Sequence, residues 1–179
     1  MSIILVGMPG SGKSTVARTL ARRMQMDLAD SDQVIEQRLG CTIRSYFEQQ
    51  GEAAFRDVEE AVLDELTSGS PVVLATGGGA VLRLVNRQRL HARGRVVYLR
   101  TTPEQLFRRL RRDTKRPLLQ VADPLGRLKE MYAERDPLYR ECAHHVLDTH
   151  SAALSTLVGR VLMQLELDSG AAGDVSPSP

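Results

Sequence analysis

The chain has 179 residues, of which 42% are hydrophobic and 26% charged, and its formal net charge is +2 at pH 7. This composition excludes a mainly disordered or fibrous chain, and the length predicts one domain. No apolar run approaches the ~18 residues that a membrane-spanning helix needs. The first residues do not have the pattern of a secretion signal, and two cysteines, Cys41 and Cys142, do not form a disulfide framework or a zinc motif. We therefore expect a cytoplasmic protein with no membrane partner.

Positive charge is concentrated in one segment. Residues 83–116 contain eleven arginines and Lys115, against Glu104 and Asp113 as the only acids. Such a segment can bind nucleic acid, but no aromatic residues alternate with the arginines to stack on bases. The other interpretation is that some of the arginines face a small anion, which a planar guanidinium binds well. We expect the small anion and no nucleic-acid partner.

The predicted elements alternate between strands and helices. Four short apolar runs predict buried strands at residues 3–6, 71–75, 95–99 and 144–147, and a more polar run predicts another at 27–30. Helical patterns cover residues 13–24, 32–39, 51–66, 102–112, 124–135 and 152–166. This order predicts an α/β fold, a three-layer sandwich in which helices flank a five-stranded parallel sheet. We expect a single domain over 1–168 and a flexible C-terminal tail over 169–179.

The segment from residue 7 to residue 15 fits the pattern G-x-x-x-x-G-K-[ST], directly after a strand and opening a helix. In this P-loop, backbone N–H groups point at phosphate oxygens at a helix N-terminus. Lys13 is expected to reach the β- and γ-phosphates of ATP, and Ser14 to join the shell of Mg²⁺. The candidate nucleotide-binding residues here are Gly10, Ser11, Gly12, Lys13, Ser14 and Thr15. A glycine turn that binds no ligand is the weaker interpretation, because the residue spacing and the position between a strand and a helix both match a P-loop.

A pair of acids follows the second strand. A P-loop usually works with a carboxylate from another strand that helps to hold Mg²⁺. The strand before Thr76 supplies none, whereas Asp30 and Asp32 lie close after the P-loop helix. The alternative is helix capping by Ser31 or Asp32. Capping accounts for one acidic residue and not for both, so we favour a functional role.

These motifs, in order, resemble those of the shikimate kinases, P-loop enzymes related to the nucleoside monophosphate kinases. The resemblance is carried by the P-loop, Asp30-Ser31-Asp32 with Val34-Ile35-Glu36, Phe55-Arg56 with Glu59-Glu60, Thr76-Gly77-Gly78-Gly79, Arg116-Pro117-Leu118-Leu119 and Arg135-Asp136-Pro137-Leu138-Tyr139. It spans residues 3 to about 150. It implies phosphoryl transfer from MgATP to the 3-hydroxyl of shikimate, giving shikimate 3-phosphate and ADP in chorismate biosynthesis.

The resemblance also implies roles for individual residues. The implied substrate-binding residues are Asp32, Arg56, Gly77, Gly78, Gly79 and Arg135. The implied catalytic residues are Asp32, Lys13 and Arg116. In this picture Asp30 supports Mg²⁺ through water beside Ser14, Arg109 packs near the adenine, and Arg116 lies in a mobile lid at about 112–123.

The chemistry of shikimate agrees with these residue types, because its carboxylate needs a guanidinium fork and its hydroxyls need an acceptor. Arg135 continues the inward stripe of Leu128 and Tyr132, and an arginine that points inward needs an anion. A structural salt bridge to a glutamate is the alternative for Arg135, and surface helix pairs with nearby acids are the alternative for Arg56.

Two other functions stay open from the sequence. A gluconate- or nucleotide-type kinase would share the P-loop, although no pocket for a second base can be identified. An ATP-binding nucleic-acid or regulatory module would use the basic segment at 83–116. We expect a monomeric enzyme that acts on a small molecule.

Overall fold

A computed structural model of the chain describes residues 1–111 and 121–171. Its sheet consists of β1 (Ser2–Val6), β2 (Asp27–Asp30), β3 (Val72–Ala75), β4 (Gly94–Arg100) and β5 (His145–Asp148). All neighbouring strands pair in parallel, in the order β2-β3-β1-β4-β5. The predicted α/β class and five-stranded parallel sheet are confirmed.

Helices cover both faces of this sheet. They are α1 (Lys13–Met24), α2 (Ser31–Leu39), α3 (Ile43–Gln50), α4 (Glu52–Ser68), α5 (Leu84–Arg93), α6 (Pro103–Leu110), α7 (Pro124–Cys142) and α8 (Leu154–Ala171). Within the described ranges, none of them combines the length and apolarity that crossing a membrane requires.

Each strand of the sheet sends alternate side chains to opposite faces, as the period of two requires. From β1, Ile4 and Val6 join the core formed with α5, α6 and α7. Ile3 and Leu5 join the core formed with α1 and α8. The two cores give the three layers of the predicted sandwich. A third, smaller cluster around Phe55 packs α2 and α3 against α4.

Several boundaries differ from the sequence prediction. Helices α3 and α5 were not predicted, and α8 runs to Ala171, past the predicted start of the tail at residue 169. Helix α7 was expected to end before Pro137 but continues to Cys142. A proline within a helix costs ~3 kcal/mol. The burial of Tyr139 and Cys142 beyond it offsets that cost. Arg116 and most of the predicted lid lie outside the described residues, as does the tail from 172 onward.

The first part of the basic segment, from residue 83 to residue 100, is ion-paired with the elements around it. Between residues 83 and 100, six arginines form ion pairs with acids from other elements: Arg83 with Asp57 and Glu60, Arg87 with Glu141, Arg89 with Glu60 and Asp64, Arg93 with Asp64, Arg95 with Asp168, and Arg100 with Asp148. This part of the charge run therefore holds elements of the fold together and does not form an unpaired basic surface.

Helix α8 contains a glycine that can be tested by substitution. A Cβ atom at Gly159 would meet no atom within 4 Å. We expect Gly159→Ala to raise the free energy of unfolding by about 0.5–1 kcal/mol, because alanine reduces the entropy of the unfolded chain. Gly40 is a matched control, since a Cβ atom there also meets open space but its φ is +67°. Gly40→Ala should lower stability by about 1 kcal/mol. Urea unfolding of both variants checks this, and equal effects would contradict it.

Candidate active site

The carboxyl ends of three neighbouring strands meet at one edge of the sheet. In the pairing of β3 with its neighbours, Leu5 and Asp30 both lie opposite Ala75. The P-loop follows β1, the acidic pair follows β2, and the glycine run Gly77–Gly79 follows β3. Ligands of open α/β sheets bind in the crevice at this edge. The fold therefore brings three of the predicted motifs together.

The P-loop has the conformation of an anion site. Gly12 precedes α1 with φ 92°, in the left-handed region that glycine adopts without strain, and no side chain caps the first N–H groups of the helix. Lys13 is 7% exposed, and its Nζ donates hydrogen bonds to the carbonyl oxygens of Gly7 (2.7 Å) and Met8 (2.9 Å). The amino group is thus held against the loop that leads into the N-terminus of α1, the end of a helix that favours an anion.

Asp30 connects the P-loop to helix α2. Its Oδ2 accepts a hydrogen bond from Ser14 Oγ at 2.9 Å. Its Oδ1 accepts from the backbone N–H groups of Asp32 (3.1 Å) and Gln33 (3.3 Å), so Asp30 is the N-cap of α2. The alternative interpretation, in which Ser31 or Asp32 caps this helix, is therefore wrong. The buried Ser31 Oγ instead accepts from the N–H of Gly77 at 3.1 Å and fixes the glycine run.

Asp32 lies where two cavities meet. The first, of about 340 Å³, is lined by the P-loop together with Asp30 and Thr76. The second, of about 320 Å³, is lined by the glycine run, by Arg56 and Arg135, and by apolar side chains. Both cavities also contact Asp32, so its carboxylate can reach a molecule in either one.

The surroundings of Asp32 raise the pKa of its carboxyl from 3.8 to about 6. Burial is the largest cause, and the carboxylates of Asp30 and Glu59 act in the same direction. Lys13 opposes them through its positive charge. A carboxyl group with this pKa can exchange a proton near neutral pH, which suits a general base.

A buried charge cluster forms one wall of the second cavity. Arg56 Nη1 contacts Glu59 Oε1 at 2.7 Å, and these side chains are only 11% and 1% exposed. Burial raises the pKa of Glu59, and the neighbouring guanidinium of Arg56 opposes that shift. The Nε atoms of Arg56 and Arg135 are buried without a hydrogen-bond partner. Arg56 Nη2 also lies 3.5 Å from Oε1 of the exposed Glu52. The unpartnered Nε atoms leave Arg56 and Arg135 with donor capacity that an anion can use.

The glycine run allows close approach to these charges. A Cβ atom at Gly77 would lie 2.5 Å from Asp32 Oδ1, and one at Gly79 would overlap the guanidinium of Arg56. Any larger residue would displace a charged group of the site. The predicted substrate-binding residues Asp32, Arg56, Gly77, Gly78, Gly79 and Arg135 thus line one cavity.

Arg109 lies on the other side of the P-loop. Its Nη1 donates to the Ser11 carbonyl oxygen at 3.4 Å. It also lines a third cavity, of about 210 Å³, with Gln105, Arg108, Thr149, His150 and Ser151. This position is compatible with the predicted contact to a base. Arg116 belongs to the part of the chain that is not described.

Three features of the site were not predicted as functional. Glu59 follows Phe55 by one helical turn and therefore lies on the buried face of α4. This spacing in the sequence could have indicated that Glu59 pairs with Arg56 inside the protein. Tyr139 donates to the Gly78 carbonyl oxygen at 2.6 Å. The unpredicted helix α3 contributes Ile43 and Phe47 to the apolar wall, and no polar motif in the sequence marks it.

The P-loop, the acidic pair beside it and a second cavity with buried arginines define a P-loop kinase that acts on a small molecule. A family model described as shikimate kinase matches residues 9–166. The shikimate kinase of Paracidovorax citrulli is 56% identical over 182 residues, covering 100% of this chain and 97% of that protein. The shikimate kinase of Burkholderia pseudomallei is 52% identical over 167 residues, covering 93% and 91%.

Solved structures give the same result. Shikimate kinase from Acinetobacter baumannii in complex with shikimate has a TM-score of 0.88 and 43% identity, covering 98% of this chain and 95% of that one. Shikimate kinase from Aquifex aeolicus has a TM-score of 0.83 and 31% identity, covering 94% and 98%. The chain belongs to the shikimate kinase family, and the resemblance seen in its motifs is confirmed.

The raised pKa of Asp32 predicts that its charge destabilises the fold. The pKa of about 6 in the folded state exceeds the value of 3.8 in an unfolded chain. The protonated carboxyl therefore stabilises the folded state at low pH, and this contribution is lost as the pH rises from 3.8 through 6. We expect Asp32→Asn to be more stable than the wild type by about 1–3 kcal/mol at pH 8, with most of the gain absent at pH 4. Urea unfolding at both pH values measures it. The exposed Asp27 provides a control variant, Asp27→Asn, and a gain of equal size there would contradict the explanation.

Proposed function

We propose that the chain transfers the γ-phosphoryl group of ATP to the 3-hydroxyl of shikimate, giving shikimate 3-phosphate and ADP. The observation that carries this proposal is the pair of arginines, Arg56 and Arg135, with buried and unpartnered Nε atoms, in a cavity joined to the P-loop cavity through Asp32. A substrate with a carboxylate at one end and hydroxyl groups at the other fits this distribution of charge.

In this proposal the phosphates of ATP bind to the P-loop. The backbone N–H groups from Gly10 to Thr15 supply donors, and the N-terminus of α1 adds a partial positive charge. The Lys13 amine, now bonded to carbonyl oxygens of its own loop, exchanges those bonds for oxygens of the β- and γ-phosphates. Arg109 packs beside the base.

We assign Mg²⁺ to Ser14 and Asp30. Their side-chain oxygens lie 2.9 Å apart beside the phosphate cavity, and hard oxygen donors are the ligands that Mg²⁺ prefers. In the described ranges no group of three or more His, Cys, Asp or Glu side chains could hold a metal. A magnesium ion held by few protein ligands and by phosphates fits this arrangement. When bound, Mg²⁺ neutralises negative charge on the phosphate oxygens.

Shikimate fits the second cavity with its carboxylate against Arg56 and Arg135, since a guanidinium can bind a carboxylate through two parallel hydrogen bonds. Glu59 accepts a hydrogen bond from Arg56 and so fixes the position of its guanidinium group. The apolar side chains of Ile43, Phe47 and Phe55 suit the face of a six-membered ring. This orientation directs the hydroxyl groups toward Asp32.

Asp32 orients the attacking hydroxyl and accepts its proton. With a pKa of about 6, the carboxyl is ionised and able to accept a proton at neutral pH. Phosphoryl transfer needs little covalent chemistry from the protein, so positioning and charge neutralisation supply most of the rate. We assign Arg116 to phosphoryl-oxygen stabilisation from the resemblance of its motif.

Two observations separate this proposal from the open alternatives. The second cavity combines two arginines with an apolar wall, which suits a carboxylate carried on a small ring. The linear, strongly polar chain of gluconate would gain little from that wall. A nucleic-acid module would use the basic segment, where six arginines are already ion-paired.

ADP release measured across shikimate, gluconate and nucleoside monophosphates tests the proposal. We expect Mg²⁺-dependent turnover with shikimate and at least ~10²-fold lower kcat/KM with the others, because buried polar groups left unpaired reject a wrong substrate strongly. The kcat should rise with pH through about 6 as Asp32 ionises. A folded preparation that binds ATP but does not turn over shikimate would refute the function.

A pair of matched variants separates the roles of the two acids. Asp32→Asn keeps the shape of the side chain but cannot accept a proton, so kcat should fall by ~10²–10⁴ with nearly normal ATP affinity. Asp30→Asn can still cap α2, and we expect it mainly to raise the Mg²⁺ concentration needed for half-maximal activity. Magnesium titrations of both variants provide the measurement. Restoration of the Asp32→Asn activity by added Mg²⁺ would show that the two roles are exchanged.

A further inference from the structure

Tyr139 joins two walls of the substrate cavity. It lies on α7 one helical turn after Arg135, and its side chain is fully buried. Its hydroxyl donates a hydrogen bond of 2.6 Å to the carbonyl oxygen of Gly78. The contact crosses from α7, which carries Arg135, to the glycine run at the end of β3. It does not line the cavity itself, so its effect on a ligand would be indirect.

Arg135 interacts with the same hydroxyl. Burial raises the pKa of Tyr139, while the positive charge of the Arg135 guanidinium opposes that rise. The hydroxyl therefore stays protonated at all physiological pH values. It donates to Gly78, and the guanidinium of Arg135 on the same helix lies near enough to act on it through its charge.

Two other contacts fix the glycine run, and neither of them involves α7. Ser31 holds the N–H of Gly77, and a Cβ atom at Gly78 would lie 2.7 Å from Pro9. Both supports belong to the part of the site around the P-loop and α2. Among the hydrogen bonds of the described residues, the bond from Tyr139 is the one that connects the run with α7.

Helix α7 needs such a connection at this point. Pro137 lies inside the helix and has no N–H to donate to the carbonyl oxygen four residues earlier. The intrahelical bond from residue 137 to the carbonyl oxygen of Ala133 is thus missing, and Arg135 lies within that turn. A tertiary contact directly after the proline restores a fixed position for the helix.

We propose that Tyr139 is a positioning residue for substrate binding, whose hydroxyl sets the separation between Arg135 and the glycine run. The inference rests on the proposed function, because it assigns the carboxylate of the substrate to Arg135. Without the hydroxyl, the Gly78 carbonyl loses its partner, and α7, which carries Arg135, loses its hydrogen bond to the glycine run. The consequence is weaker binding of shikimate with an unchanged site for ATP.

Tyr139→Phe removes only the hydroxyl group. We expect the KM for shikimate to rise about five- to tenfold, the effect of one lost supporting hydrogen bond. The KM for ATP and the kcat should stay within about twofold, because the P-loop and Asp32 are not displaced. Steady-state kinetics in both substrates gives these values, and thermal unfolding confirms that the variant is folded at the assay temperature.

Tyr98→Phe is the matched control. Tyr98 is also fully buried, its ring lies 4.9 Å from that of Tyr139, and its hydroxyl donates to Asp136 Oδ1 at 2.7 Å. Asp136 keeps its hydrogen bond to Arg140 when Tyr98 is changed. We expect this variant to lose some stability without a change in the KM for shikimate. A purely structural role of Tyr139 would make the two variants behave alike.

Deuterium exchange at the backbone of residues 77–79 provides a readout that does not require turnover. The exchange rate of this segment should increase in Tyr139→Phe and stay unchanged in Tyr98→Phe. An unchanged KM and exchange rate in Tyr139→Phe, equal effects in both variants, or loss of the folded state would each overturn the inference. A wild-type protein that fails to phosphorylate shikimate refutes the proposed function instead, and the exchange measurement then decides the inference about Tyr139.

Discussion

The parallel register of β2, β3 and β1 is the constraint on which the rest of the site depends. Because Asp30 and Leu5 both lie opposite Ala75, the three strands end at one level. The P-loop, the acidic pair and the glycine run therefore meet within hydrogen-bonding distance, as the bonds from Ser14 to Asp30 and from Gly77 to Ser31 record. A slip of one residue would turn every side chain of a strand to the opposite face and separate these partners.

The second constraint is electrostatic. Asp32, Glu59 and Arg56 lie close together along the cavity, and burial raises the pKa values of both acids. Buried charges are tolerated only when they are paired and hydrogen-bonded. Glu59 and Glu52 satisfy Arg56 in part, and its Nε atom stays buried without a partner. Burial of these charged groups lowers the stability of the fold, and the same groups interact strongly with a charged ligand.

The arginines between residues 83 and 100 cluster along the sequence but do not form an unpaired positive surface in the folded protein. They pair with acids of α4, α7 and α8 and with Asp148 at the end of β5. Exposed pairs of this kind each stabilise a fold by at most about 1 kcal/mol. Their main effect is to fix the positions of α5 and β4, and only Arg109 among the described basic residues after residue 100 bonds to the P-loop.

The sequence by itself determined the fold class, the family and the motifs of the phosphate site, because each of these depends on consecutive residues or on a regular period. The P-loop conformation follows from glycines within six positions, and the strand pattern follows from alternation. Only the tertiary structure decided that Glu59 faces Arg56, that Tyr139 reaches Gly78, and that α7 continues past Pro137. The contact of Tyr139 with Gly78 joins residues far apart along the chain, and a buried contact forms only when both of its partners are in place. The continuation of α7 past Pro137 depends on packing that overrides the helix-breaking propensity of proline.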